Sequence, residues 1–246
     1  MSDVIFITGA SSGLGWQMAI EFARRGHRLA LTARREESLT TLKQKLETEY
    51  EAQVWIQALD VTRFETIAPA LEAAREYFGQ LDTVIANAGI GYSDYIGRLS
   101  WDRVKATIDT NVLGLMATVD AAVLLFKQQG HGHIVAVSSV AGFRGLPAGG
   151  AYGASKAAVT SYMESLRAEV YGRGIDVTLL WPGYIDTPIN QAARSRPFCI
   201  SLEQGGRLLA DLIERRVARA TVPRWPWAII ARLLRWIPVA LLARLT

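Results

Sequence analysis

The chain opens with an uninterrupted apolar run, VIFIT at 4–8, the pattern of a strand buried on both faces. A glycine-rich turn follows. WQMAIEFARRG then carries apolar residues at helical spacing and stops at Gly26. RLALTA (28–33) reads as the next strand, and EESLTTLKQKLETEYE as a charge-laced amphipathic helix. The same alternation continues with strand QVWIQAL (53–59), a helix over 63–78 ending at Gly79, and strand LDTVIANAG (81–89). A long helix over 101–128, strand HIVAVSS (133–139), a helix over 151–171 and strand IDVTLLWPG (175–183) come next. A helix over 201–217 and a short strand at 220–222 complete the pattern. Apolar strands alternating with helices predict an α/β fold, a single doubly wound parallel sheet of about seven strands with helices on both faces. Ligands of such sheets bind beyond the carboxyl ends of the strands, where the strand order reverses.

The length, 246 residues, suits one sizeable domain. No linker or repeat divides residues 1–222, and 223–246 form a tail of different composition. The single cysteine, Cys199, excludes an internal disulfide and fits a reducing compartment. The first residues, MSDVIFITGA, have neither a basic segment nor a long apolar run, which predicts no signal peptide and a cytoplasmic location. No stretch offers about 18 uninterrupted apolar residues. Net charge is +4, and the tail alone carries Arg224, Arg232, Arg235 and Arg244 with no acid. The remainder is close to neutral, which excludes a nucleic-acid protein with a broad basic face.

Chemistry-bearing residues collect where strands end. TGASSGLG (8–15) follows the first strand and opens a helix. Its glycines would let backbone approach a pyrophosphate, and the helix N-terminus would supply N–H groups. The Gly9, Gly13, Gly15 spacing is neither GxGxxG nor a P-loop, so by itself it is equally a plain turn. The second strand ends Thr32-Ala33-Arg34-Arg35. An acid there would bind a ribose 2′-hydroxyl, whereas an arginine accommodates a 2′-phosphate. Arg34 is the favoured phosphate partner and Arg35 the weaker candidate; both could also be solvated residues ahead of a helix. His27, His131 and His133 show no ligand spacing and read as structural.

Further along, AYGASK places Tyr152 and Lys156 at i and i+4, one turn apart on one helix face near its N-terminus. A lysine so close favours phenolate, by up to about 4 kcal/mol at an effective dielectric near 20. By composition Ser138 and Ser139 are equally good hydroxyls ahead of this helix.

Together these segments resemble the classical short-chain dehydrogenase/reductase family over residues 3–222. TGASSGLG matches its cofactor loop, ANAG (86–89) its NNAG element with Ala86 in place of the first Asn, and NVLG (111–114) its helix asparagine. VSSVAG (137–142) places the catalytic serine at Ser139, thirteen residues before Tyr152, and PGYIDTP (182–188) matches its PG-x-[IV]-x-T element. The resemblance implies a Rossmann-type domain that transfers a hydride between NADP(H) and a carbonyl or alcohol carbon. It implies a catalytic set of Asn111, Ser139, Tyr152 and Lys156. Tyr152 would donate the proton and Lys156 would tune it and hold the nicotinamide ribose. Ser139 would hydrogen-bond the substrate oxygen, and Asn111 would hold a water for proton resupply. The implied cofactor residues are Gly9, Ser11, Ser12, Gly13, Leu14, Gly15, Arg34, Arg35, Asp60, Val61, Asn87, Ala88, Gly89, Tyr152, Lys156, Pro182, Gly183, Ile185 and Thr187. Asp60 and Val61 would flank the adenine, although Asp60 could equally cap a helix. No metal is implied, and a homodimer or homotetramer is. A non-catalytic dinucleotide-binding sensor or scaffold on the same fold is the alternative, against which the intact Asn–Ser–Tyr–Lys set argues.

The tail lies outside the family's common core. On a helical projection of 227–237, Ile229, Ile230, Leu233, Leu234 and Ile237 share one side and Arg232 and Arg235 the other. Trp225, Trp227 and Trp236 add interfacial side chains, and Pro238 breaks the pattern. Such a composition predicts a helix lying in a membrane interface, hence a peripheral contact through 224–246 and an apolar, lipid-like substrate. The competing reading packs the tail on another subunit or over the substrate pocket. Substrate choice would lie in the loops 90–98, 142–150 and 187–206.

Overall fold

The computed structural model describes residues 2–190 and 195–243. Seven strands, Val4–Thr8 (β1), Arg28–Ala33 (β2), Val54–Ala58 (β3), Thr83–Ala86 (β4), Gly132–Val137 (β5), Ile175–Pro182 (β6) and Arg219–Val222 (β7), form one sheet. Their order is β3-β2-β1-β4-β5-β6-β7 and every pairing is parallel. The helices are Gly13–Arg24 (α1), Glu36–Tyr50 (α2), Ile67–Phe78 (α3), Trp101–Ile108 (α4), Leu115–Gln129 (α5), Gly150–Glu169 (α6) and Leu202–Glu214 (α7). Trp227–Leu233 (α8) and Val239–Leu242 (α9) follow in the tail.

Successive side chains of a strand face opposite ways, so a strand covered on both faces must be apolar throughout. β1 does this literally. Val4 and Phe6 join the core shared with α3, α5 and α6, while Ile5 and Ile7 join the one shared with α1, α2 and α7. β1 pairs with β2 on one side and β4 on the other, so the strand order reverses there and opens a crevice at the carboxyl ends.

The long helix expected over 101–128 is interrupted. A π-helical segment, Asp109–Gly114, separates α4 from α5. Its wider turn carries the fully buried Asn111, whose side chain bonds backbone outside the helix. Periodicity cannot register one extra residue in a turn, and such bulges gather at functional positions. The combined run Trp101–Gln129 is long and apolar enough to cross a membrane, with a mean hydropathy of 1.5, but its apolar face packs in the core.

His133 lies buried on β5, where its Nε2 is 2.8 Å from Thr178 Oγ1. That hydroxyl donates its one hydrogen to the Val217 carbonyl, so Nε2 must carry the proton and donate. Burial, with a smaller push from the Arg216 charge, lowers the imidazole pKa to about 4. Folded His133 therefore stays neutral while the unfolded chain protonates near 6.5, and stability falls as pH drops from 6.5 to 4. The full window is worth about 3 kcal/mol. We expect acid unfolding of His133→Gln to lose much of this slope, measured by denaturant midpoints at pH 7 and pH 4.5.

The tail is no free appendage. Trp227 and Ala231 are buried, and Trp227 belongs to the main core, so it is not the interfacial tryptophan expected from composition. The five-residue apolar side also divides: Ile230 packs against the core while Ile229 and Leu233 stay exposed. The helix ends at Leu233, passes through a short 3-10 turn, Leu234–Trp236, and stops before Pro238. Arg244 and the side chain of Arg235 lie outside the described residues, as do 191–194 of the loop 187–206.

Candidate active site

A cleft of about 320 Å³ opens at the carboxyl ends of the strands, around the reversal point. Of the residues singled out from sequence, all but Gly15 and Asn111 line it. Those two lie behind it and shape it.

Gly9 has φ +71°, a left-handed backbone, and a Cβ there would fall 2.7 Å from the Cα of Ala88. At Gly15 a Cβ would fall 2.4 Å from the Gly9 carbonyl oxygen, so α1 must begin on glycine to pass under the loop. Thr8 binds the two halves together. Its Oγ1 accepts from the backbone N–H groups of Asn87 (3.0 Å) and Ala88 (3.1 Å) and donates to the Ile85 carbonyl. Asn87 returns the contact by donating to the carbonyls of Thr8 and Gly9.

The start of α1 has the chemistry of an anion cradle. Its first turn carries no acid, and the Ser12 side chain makes no cap bond to the N–H groups there. The serine hydroxyls point elsewhere, to Arg35. Its guanidinium donates to Ser11 Oγ at 2.9 Å and to Ser12 Oγ at 2.8 Å. Arg34 lines the same rim. The sequence favoured Arg34; the geometry holds Arg35 over the glycine loop. Asp60 forms an Asx turn, its Oδ1 accepting from the N–H and hydroxyl of Thr62.

At the other end of the cleft α6 brings Tyr152 and Lys156 together. Lys156 Nζ is buried, donates to the Val137 carbonyl at 3.0 Å, and lies 5.7 Å from the centroid of the Tyr152 ring. Burial lowers its pKa to about 8. Burial raises the Tyr152 phenol, a hydrogen bond with Ser139 partly offsets this, and Tyr184 adds to the rise. Both groups are buried, and burial penalises the charged form of each.

The two serines separate cleanly. Ser138 donates to the Lys156 carbonyl at 2.9 Å and fixes α6 against β5, whereas Ser139 faces Tyr152. Ser139 is itself held, accepting from the Ala141 N–H at 3.1 Å. Asn111 clamps Ile90 in both directions, accepting from its N–H and donating to its carbonyl, each at 2.8 Å, and donates again to Ser155 Oγ. Both its amide hydrogens are in use, so the expected water could bond this side chain only at the second lone pair of Oδ1.

Sequence reasoning missed Thr8 and Ser138 as positioning residues, and Tyr184 and Trp227 as a wall beside Tyr152. The rings of Tyr184 and Trp227 lie 6.0 Å apart, and Trp227 covers Gly183 so closely that a Cβ there would fall 2.2 Å from its Nε1. The PG pair flagged the glycine, but nothing in the sequence joins it to a tryptophan 44 positions away.

Comparison with known proteins agrees with this architecture. A family model described as short chain dehydrogenase matches residues 3–197. An uncharacterized oxidoreductase of Mycobacterium tuberculosis is 42% identical over 242 residues, 98% of this chain and 96% of its own. An alcohol dehydrogenase from the archaeon Thermococcus sibiricus, complexed with 5-hydroxy-NADP, is 28% identical with a TM-score of 0.82, covering 90% of this chain and 96% of that one. A short chain dehydrogenase/reductase from Burkholderia phymatum in complex with NAD is 26% identical with a TM-score of 0.85, covering 95% and 92%. The chain therefore belongs to the short-chain dehydrogenase/reductase family of oxidoreductases.

Proposed function

We propose that this protein is an NADPH-dependent reductase acting on the carbonyl, or in reverse the alcohol, of an apolar and lipid-like substrate, and that it works as a homo-oligomer in peripheral contact with a lipid surface. One observation carries the reading: Tyr152, Ser139 and Lys156 share a single cleft with an anion cradle whose helix turn holds no acid and whose rim holds Arg34 and Arg35. The solved relatives include both an NADP-type and an NAD complex. The phosphate preference therefore rests on Arg34 and Arg35. Leu113 and Leu124 remain exposed eleven positions apart on the α4–α5 run, which supports self-association.

The residues present fit a dinucleotide. Gly9, Gly13 and the uncapped N–H groups of α1, from Gly13 through Leu14 to Gly15, would hold the pyrophosphate. Arg35, with Ser11 and Ser12, and Arg34 would hold the 2′-phosphate. Asp60 and Val61 would flank the adenine. Asn87, Ala88 and Gly89 would line the middle of the site, and Pro182, Gly183, Ile185 and Thr187 the nicotinamide end. When bound, the nicotinamide supplies the hydride. Tyr152 would protonate the substrate oxygen, and a phenol held neutral by burial keeps its proton until that oxygen becomes basic. Ser139 would donate a hydrogen bond to the same oxygen, stronger as its charge develops. Lys156 would touch the nicotinamide ribose and, with a pKa of about 8, return a proton to Tyr152 near neutral pH. Asn111 acts one step back by holding Ile90 at the cleft wall.

Binding titrations test the cofactor assignment. Wild type should prefer NADPH to NADH by at least about tenfold, and Arg34→Ala or Arg35→Ala should each weaken NADPH roughly tenfold while sparing NADH. Arg35→Ala should cost more, because its guanidinium is already held over the loop. Equal affinities in wild type would overturn the assignment.

A further inference from the structure

The tail's apolar side chains go to two places. Trp227 turns inward, 6.0 Å from the ring of Tyr184 and 6.2 Å from that of Phe198, so the first tail helix backs one wall of the cleft. The opposite side of that helix, about 10 Å away across its diameter, faces solvent. Ile229 and Leu233 lie there at i and i+4, flanked by Trp225 at 73% exposure and Trp236 at 85%. Val239 and Leu241 extend the exposed set. Tryptophans this exposed, beside aliphatic side chains, mark an interaction surface.

Charge selects the partner. Residues 223–246 contain four arginines and no acid. A second copy docking through the same patch would bring like charges together, because an isologous contact pairs each surface with itself. An anionic bilayer complements the patch in both respects, with headgroups for arginine and acyl chains for tryptophan, isoleucine and leucine.

We propose that the outer face of residues 224–241 docks this protein on an anionic lipid bilayer, and that the substrate enters the Tyr152 cleft from that surface. The docking stands on the tail alone; only the substrate route rests on the reductase reading. Trp227 links the two, since it is covered by Gly183 and Tyr184 on the cleft side and carried by the helix that meets the lipid.

Co-sedimentation of the full chain with phosphatidylglycerol–phosphatidylcholine vesicles, beside phosphatidylcholine vesicles alone, tests the docking without cofactor or turnover. Wild type should pellet with the anionic vesicles at low salt and be released by high salt. Arg224→Gln with Arg232→Gln should weaken binding by about 25-fold, a factor of about five for each arginine. Ile229→Ser, Leu233→Ser and Trp236→Ser together should abolish binding. All these positions are exposed, so both variants should keep wild-type turnover of a soluble aldehyde with NADPH and lose it only towards a long-chain ketone carried in the vesicles. Wild type left in the supernatant at low salt, or serine variants that pellet like wild type, would overturn the proposal. So would a change of oligomeric mass on size exclusion for the serine variant without vesicle binding, which assigns the face to a second copy. Vesicle binding without turnover on any carbonyl would leave the docking standing and remove the reductase reading.

Discussion

Tyr152→Phe is expected to lower kcat by about a thousandfold or more while leaving NADPH affinity within about threefold. The substitution removes one oxygen and keeps the ring. That ring is closely packed, since a Cβ at Gly91 would fall 3.1 Å from its Cδ2, so Phe should occupy the same volume. What disappears is the proton that the substrate oxygen must receive as hydride arrives, along with the hydrogen bond to Ser139. Stopped-flow turnover beside a fluorescence titration separates the two effects. In wild type, reduction should also decline as pH rises through about 8, because Lys156 then loses the proton it would pass on. A variant with near-normal kcat would mean that the proton comes from another group, and Tyr184, the neighbouring phenol, would be the next to test.

Lys156→Met should abolish efficient turnover and yet make the protein more stable at neutral pH. Lys156 is buried with a pKa of about 8, against 10.5 for the free side chain. The unfolded chain therefore binds the proton more tightly than the folded one. Below pH 8 this opposes folding in full, and the penalty disappears as pH rises from 8 to 10.5. The shift corresponds to about 3 kcal/mol, and loss of the bond to the Val137 carbonyl offsets part of it. A net gain of about 1–2 kcal/mol at pH 7, or roughly 2–8 °C in Tm, is expected. The gap should narrow towards pH 10.5. Calorimetry at pH 7 and pH 10 measures it. A less stable variant at pH 7, or a difference that ignores pH, would show that Lys156 supports the fold rather than burdening it. The trade is physically reasonable, since a proton relay must sit near its working pH, and burial is what brings a lysine there.

The sheet, the succession of its elements and the residue types around the cleft were legible in the amino-acid pattern. A parallel strand covered on both faces must be apolar along its length, and glycine must stand where backbone meets backbone, so VIFIT and TGASSGLG could be read without coordinates. The spacing of YGASK likewise placed Tyr152 and Lys156 on one face, because helical geometry is local. Three matters waited on the tertiary structure. The spacing to Tyr152 selected Ser139 over Ser138, but that Ser138 instead ties α6 to the end of β5 depends on how the chain leaves that strand. The protonation balance of Tyr152 and Lys156 depends on burial, which is a property of every element packed around them and which spacing does not carry. The division of the tail into an inner Trp227 and an outer Ile229, Leu233 and Trp236 depends on where the chain re-enters after β7, and a helical projection cannot show which side meets Gly183. Local geometry is written in neighbouring residues, whereas desolvation and facing are set by residues far apart in the chain.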